Sequence, residues 1–146
     1  AVYYDVSWCM NVGEKIDPEY EKWFQIVYDA REDARQFIQA RLDAGEKVRG
    51  YEVDRRLKER FEQLGCAQYL MHRTGHNIGH RCHGIGANLD DYETHDDRCL
   101  LPGTMFSIEP GLYTDKYGVR LEYDVHITSE GETKVYGPVQ DEILVI

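Results

Sequence analysis

The chain has 146 residues, 42% of them hydrophobic and 12% aromatic, enough for one domain with a packed core. Its net charge of −10, from 27 acidic against 17 basic residues, argues against nucleic acid or an anionic membrane as partner, because phosphate binding needs clustered Lys and Arg. No run is long and apolar enough to span a bilayer and no signal-peptide pattern is visible, so a cytoplasmic location is the expectation.

From Val2 to Val12 the chain is rich in β-branched and aromatic residues and stops at Gly13, a pattern that predicts a strand. A long helix follows. Asp17 is suited to the N-cap, Pro18 to the first helical position and Gly45 to the stop. Trp23, Ile26, Val27, Ala30, Ala34, Phe37, Ile38 and Leu42 recur at spacings of three and four, which marks a core-facing stripe. A shorter helix is predicted from about Glu52 to Leu64, with Val53, Leu57, Phe61 and Leu64 on one face and Gly65 as its stop.

Next comes "HRTGHNIGHRCHG", residues 72–84, which holds four of the six histidines. A polar, Asp-dense loop leads from it to Pro102-Gly103, and strand-like runs close the chain: "TMFSIEPGLYT", "GVRLEYDVHITSEG", "TKVYG" and "EILVI". The order predicts an α+β fold, with helices packed on one face of a mainly antiparallel sheet. Cys9, Cys66, Cys82 and Cys99 form no CxxC pair, which speaks against a zinc knuckle and favours reduced thiols over disulfides.

Three acidic residues stand inside the strand runs. Glu109 is flanked by Phe106, Ile108 and Leu112, Glu122 by Val119, Leu121 and Val125, and Asp5 lies in "VYYDVSW". Taken singly, each fits the solvent face of a sheet. Strand alternation, however, puts Arg120, Glu122 and Asp124 on one face, and a carboxylate among apolar residues is costly unless it is paired, protonated or bound to a cation. Carboxylates with one imidazole suit Mn, Fe, Co or Zn better than an all-oxygen Mg or Ca site.

These segments resemble the pita-bread metallopeptidases, the family of methionine aminopeptidase, prolidase and aminopeptidase P. "HRTGHNIG" is similar to the family's histidine motif, "SIEPGLY" and "GVRLEYDVHIT" to its two glutamate motifs, and "DVSWCMNVG" to its aspartate motif. The resemblance implies the C-terminal part of a pita-bread fold on a curved sheet. It implies metal ligation by Asp5, His76, Glu109 and Glu122. It gives His72 and His83 to substrate and intermediate, Glu109 to proton transfer as general base, and Arg120 to support of the metal-site carboxylates. His80 has no implied role, and His95 and His126 read as structural or exposed. Gly75 and Gly79 are expected to let the backbone pass close to the site. The Pro-Gly after Glu109 favours the branch that removes an N-terminal residue preceding proline, so a peptide with proline at its second position is the expected substrate.

The chain also departs from the family's pattern. Trp8 stands where an arginine is usual. The family's site holds two metals on two Asp, one His and two Glu, and the first Asp lies on a strand preceding Asp5. The expectation is therefore an incomplete catalytic domain over residues 1–146, without its N-terminal half. One metal site is complete, with Mn expected first and Co, Fe or Zn as alternatives, and a second site lacks a ligand. Self-association, or the absent half as partner, is expected to cover the open sheet. The rival readings are an inactive remnant, a binding module of the same fold, and a metal-free enzyme of the creatinase type, against which the retained Glu109 and Glu122 count.

Overall fold

The computed structural model describes residues 1–146. Helix α1 spans Pro18–Asp43. Asp17 caps it by accepting from the Glu19 N–H at 2.9 Å. The Lys116 ammonium and the Tyr117 hydroxyl also reach Asp17, at 2.8 and 2.6 Å, and hold its carboxyl well below the usual carboxylate range. The buried face of α1 carries Val27, Ala30, Ala34 and Ile38, while Trp23, Ile26, Phe37 and Leu42 pack at its margins. Helix α2 spans Gly50–Gln63 and buries Val53, Leu57 and Phe61, but Leu64 lies just past its end and is exposed. It starts two residues before the expected Glu52, because Glu52 accepts from the Arg49 N–H at 2.7 Å and so marks the first turn. A short 3₁₀ turn follows at Ala67–Tyr69.

The strands are short: β1 Met10–Asn11, β2 Asn77–Ile78, β3 Met105–Ile108, β4 Gly111–Tyr113, β5 Gly118–Arg120, β6 Tyr123–Ile127, β7 Thr133–Tyr136 and β8 Leu144–Val145. Four form an antiparallel sheet in the order β2-β3-β6-β7, β4 pairs with β5, and β1 pairs in parallel with β8. Each of the two long runs expected around a glutamate is thus split in two. The splits face each other, and the register explains them. Ile108 pairs with Tyr123 (108 + 123 = 231) and Gly111 with Arg120 (111 + 120 = 231), so one hairpin runs through both splits. The same sum sets Pro110 opposite Leu121 and Glu109 opposite Glu122. Proline has no N–H to give to the ladder, and the regular pairing lapses there.

Alternation gives this hairpin two unlike faces. Phe106, Ile108, Leu112, Val119, Leu121, Tyr123, Val125 and Ile127 form a single buried cluster with the apolar residues of α1 and α2. Behind them lies a fully buried arginine, Arg31, whose guanidinium sits over the Tyr123 ring at 4.5 Å and donates to the Gln140 carbonyl at 3.1 Å. The opposite face carries Ser107, Glu109, Arg120, Glu122 and Asp124. The helices are therefore on one side of the sheet and the acidic side chains on the other.

The N-terminal strand is shorter than its composition predicts. Only Met10–Asn11 is ladder, and Ser7 makes a single bridge to Glu122. Val2, Tyr3, Tyr4, Trp8 and Met10 are exposed, so their apolar side chains find no second layer, and β propensity alone does not make a strand. All four cysteines are free thiols. No helix is long and apolar enough to cross a membrane.

Candidate metal centre

Four chain segments lie side by side on the acidic face. The Ser7–Glu122 bridge (7 + 122 = 129) sets the N-terminal segment antiparallel to β5 and β6. Two further contacts keep that register. The Asp5 N–H donates to Asp124 Oδ2 at 2.9 Å, and the Cys9 thiol donates to the Arg120 carbonyl at 3.5 Å. On the other edge Asn77 pairs with Phe106 (77 + 106 = 183). In step with it, Ser107 N–H donates to the His76 carbonyl at 2.9 Å and Glu109 N–H to the Thr74 carbonyl at 2.7 Å. Three rows result across the sheet: Asp5, Asp124, Ser107 and His76; then Ser7, Glu122, Glu109 and Thr74; then Cys9, Arg120, Gly111 and His72. Strand alternation is what brings Asp5, Ser7, His76, Ser107, Glu109, Arg120, Glu122 and Asp124 to one side, while Cys9 and Thr74 turn back toward the helices.

The centre of this array is acidic. His76 is buried and points Nε2 at Glu109 Oε1, 3.3 Å away, and at Asp5 Oδ2, 3.5 Å away. Its Nδ1 meets the Asn77 carbonyl at 3.2 Å, and a carbonyl only accepts, so Nδ1 carries the proton in the neutral ring. The Nε2 lone pair then faces two carboxylate oxygens, an arrangement that needs a proton or a cation between them. A ring N–H held by a backbone carbonyl with the other nitrogen free is also the usual arrangement of a metal-bound histidine. Asp5, His76 and Glu122 each offer one donor atom within 4.8 Å of the others.

The carboxyl groups show the same strain. Burial first, then the Glu109 carboxylate, pushes Glu122 up to about 7, although the Ser7 hydroxyl donates to it at 2.6 Å. Burial also raises Glu109, which accepts from the Ser107 hydroxyl at 3.1 Å. Like charges directly opposite each other across a strand pair are destabilising. The nearest cation is Arg120, half exposed, with Nη1 4.0 Å from Glu109 and Nε donating to the Ser7 hydroxyl at 2.9 Å. One arginine against four carboxylates leaves negative charge uncompensated. The donor set, oxygens with one imidazole, fits a divalent cation of the Mn, Fe, Co or Zn group.

Among the residues singled out from sequence, Asp5, His76, Glu109, Glu122 and Arg120 converge on this point. His83 is exposed on the loop after β2, its ring 4.3 Å from that of His76. His72 stands at the far row. Its Nδ1–H donates to the Arg73 carbonyl at 2.8 Å and its Nε2 accepts from the Tyr113 hydroxyl at 2.7 Å, so both nitrogens are taken. Gly111 makes room for it, since a Cβ there would lie 2.8 Å from His72 Nε2. Gly75 does allow a close approach, as a Cβ would meet the Ser107 carbonyl oxygen at 2.0 Å. Gly79 does not, as nothing lies within 4 Å of its Cβ position. His80 is exposed, and His95 bonds Asp91 away from the site at 2.6 Å.

Sequence reasoning left four contributors without a role. Asp124 is fully buried. One of its oxygens accepts from Asp5 N–H, the other has no partner, and burial pushes its carboxyl up to about 7. Alternation two residues beyond Glu122 already placed it on the same face. Ser7 bonds Glu122 and Ser107 bonds Glu109, and their spacing of two from Asp5 and Glu109 was the available signal. Asp54, on α2, accepts from Thr74 N–H at 2.8 Å, from the Thr74 hydroxyl at 2.6 Å and from Asp91 N–H at 2.6 Å. It thereby fixes the strand that carries His76, and no local pattern announces it.

Fold and site together define a sheet with helices behind it and a carboxylate–histidine cluster in front of it, a donor set that could hold a divalent cation. Residues 1–129 match metallopeptidase family M24. The chain belongs to this family of peptidases, which depend on divalent metal, and has its pita-bread architecture. It is 36% identical over 90 residues to the probable dipeptidase PepE of Mycobacterium tuberculosis, an alignment that covers 60% of this chain and 23% of that protein. The crystal structure of a dipeptidase from Pyrococcus horikoshii superposes with a TM-score of 0.82 at 28% identity, over 99% of this chain and 38% of that one. That of an X-Pro aminopeptidase from Thermotoga maritima superposes with a TM-score of 0.81 at 26% identity, over 98% and 38%. The chain thus spans well under half the length of these relatives.

Proposed function

We propose that this chain carries the metal centre of an exopeptidase that removes an N-terminal residue preceding proline. The observation that carries the reading is the pairing of Glu109 against Glu122 with His76 Nε2 beside it, at 3.3 Å from Glu109 and 3.5 Å from Asp5. Asp5, His76, Glu109 and Glu122 would hold one divalent cation, with Mn preferred. When bound, the cation supplies a Lewis acid toward water and toward the scissile carbonyl.

The remaining chemistry belongs to the chain. Glu109 takes a proton from the attacking water. Its carboxyl is raised by burial toward the range where a general base works best. Arg120 and Ser7 hold Glu109 and Glu122 in place by a chain of hydrogen bonds and charge. His83, exposed beside the site, supplies a donor to the carbonyl oxygen as charge develops on it. His72 acts on the substrate only after Tyr113 has given up its bond to Nε2. The names of the two superposed enzymes, a dipeptidase and an X-Pro aminopeptidase, support an N-terminal substrate of this kind. A second copy of the chain, covering the exposed Val2, Tyr3, Tyr4, Trp8 and Met10, is proposed as partner.

The test is proline release. The chain is incubated with Mn²⁺ and a set of Xaa-Pro dipeptides and tripeptides, and free proline or free N-terminal residue is measured beside Ala-Ala controls. Cleavage of the Xaa-Pro peptides that disappears in Glu109→Gln supports the reading. Cleavage that is indifferent to Glu109→Gln, or confined to the Ala-Ala controls, refutes it.

A further inference from the structure

The loop after β2 brings a thiol onto the acidic face. Cys82 Sγ donates to Asp5 Oδ2 at 2.9 Å, the same oxygen that lies 3.5 Å from His76 Nε2. The His76 and His83 rings are 4.3 Å apart at centroid. One donor atom from each of His76, Cys82 and His83 falls within 4.8 Å of the others. Nothing in the peptidase reading uses Cys82, yet it stands closer to Asp5 than His76 does.

We propose that His76, Cys82 and His83, joined by Asp5, form a second cation site, selective for a soft or borderline ion such as zinc or cadmium, and that it competes with the carboxylate site. The donor chemistry decides the selectivity. Two imidazoles, one thiolate and one carboxylate form a four-coordinate zinc set, whereas manganese favours oxygen. The geometry is close to what such a site requires. Bonds of roughly 2.0–2.3 Å place tetrahedral donors about 3.3–3.8 Å apart, so the donors of His76, Cys82 and His83 must draw together by at most about 1.5 Å from the present limit of 4.8 Å. The loop permits this, because His83 is exposed and Cys82 is half-buried. Binding converts the thiol to a thiolate and releases its proton to solvent. The Cys82 bond to Asp5 is then replaced by a shared cation.

Competition follows from the shared ligands. An ion seated against Cys82 uses His76 Nε2 and Asp5 Oδ2, the two atoms that the carboxylate site also needs. Zinc would therefore be held away from Glu109 and Glu122, and manganese away from sulfur. The chain would discriminate between cations by position rather than by affinity alone.

The experiment is a Co²⁺ titration of the metal-free chain, followed in the near ultraviolet, where thiolate-to-cobalt charge transfer absorbs. Zn²⁺ affinity is measured alongside by competition with a chromophoric chelator, and Mn²⁺ affinity by the loss of the free-ion electron paramagnetic resonance signal. The proposal expects the charge-transfer band in the wild-type chain and its absence in Cys82→Ser. It also expects Zn²⁺ affinity in Cys82→Ser to fall by about tenfold or more while Mn²⁺ affinity stays within about twofold. His83→Ala, which keeps the thiol, is expected to weaken Zn²⁺ likewise. A wild-type chain without the band overturns the proposal, and so does a Zn²⁺ affinity indifferent to Cys82→Ser. A band without any Mn²⁺ binding upholds this site while removing the carboxylate centre, so the two readings fail separately.

Discussion

Replacing Glu122 by Gln separates the electrostatic cost of the acidic face from its packing. In the metal-free chain the Glu122 carboxyl is pushed from its ordinary 4.5 up to about 7, first by burial and then by Glu109. A folded-state pKa above the unfolded one means that the group favours folding most below about pH 4.5, and that this contribution is lost as pH rises through about 7. The difference of about 2.5 (7 − 4.5) corresponds to no more than about 3–4 kcal/mol at alkaline pH. Glutamine keeps the shape and an oxygen to accept from the Ser7 hydroxyl, but Glu109 keeps its own burial cost. The recoverable part is therefore about 1–2 kcal/mol, a rise in Tm of roughly 2–8 °C for a chain of this size. At or below about pH 4 the Glu122 carboxyl is protonated in the folded and the unfolded chain alike, and the two proteins should melt together. Saturating Mn²⁺ reverses the order. The wild type gains about 2.7 kcal/mol at a hundredfold excess over Kd, while the variant, short of a ligand, gains far less. Thermal melts by circular dichroism, after chelator dialysis and with or without Mn²⁺, read all of these quantities. A metal-free variant that melts below wild type at about pH 8, or one that keeps the full Mn²⁺ increment, would refute the reasoning.

Mn²⁺ affinity of the wild type should rise between about pH 6 and pH 8, because Glu122, held up near 7, must lose its proton before a cation can replace it; isothermal titration at a series of pH values that gives a flat profile would contradict this. Asp54→Ala should cost about 2–4 kcal/mol in urea denaturation, since it strands the buried Thr74 and Asp91 donors. It should also weaken Mn²⁺ binding severalfold by loosening the strand of His76, and an unchanged affinity would detach that support from the site. At tens of micromolar the chain should scatter light as a dimer or larger. Val2, Tyr3, Tyr4, Trp8 and Met10 leave an exposed apolar strip beside the site, and a monomeric mass would show that the strip stays uncovered.

What could be read in the sequence was what local periodicity writes. The stripe of Val27, Ala30, Ala34 and Ile38 fixed the inner face of α1, and the motifs around His76, Glu109 and Glu122 named residues that the fold brings within reach of one another. What could not be read was non-local. No spacing within either run says that Glu109 faces Glu122, because that follows from how two strands pair, and the split at Pro110 makes each strand look longer in sequence than it is. Asp124 and Ser107 were visible as members of an alternating face, but their value lies in the register that places Asp124 against the Asp5 N–H. Cys82 reads as one more thiol until the loop folds it onto Asp5. The N-terminal run misled in the other direction. Its composition is that of a strand, yet a strand needs a neighbour to share a continuous ladder of hydrogen bonds, and before Ser7 the segment is held mainly by single contacts such as Asp5 to Asp124.

The most direct measurement is metal content by elemental analysis, after incubation of the chain with Mn²⁺ and extensive dialysis, on wild type beside His76→Ala and Glu122→Gln. If Asp5, His76, Glu109 and Glu122 form a metal centre, the wild type retains about one ion per chain and the two variants retain almost none. A wild type that emerges metal-free, or variants that retain as much as the wild type, would mean that this acidic face does not hold the cation.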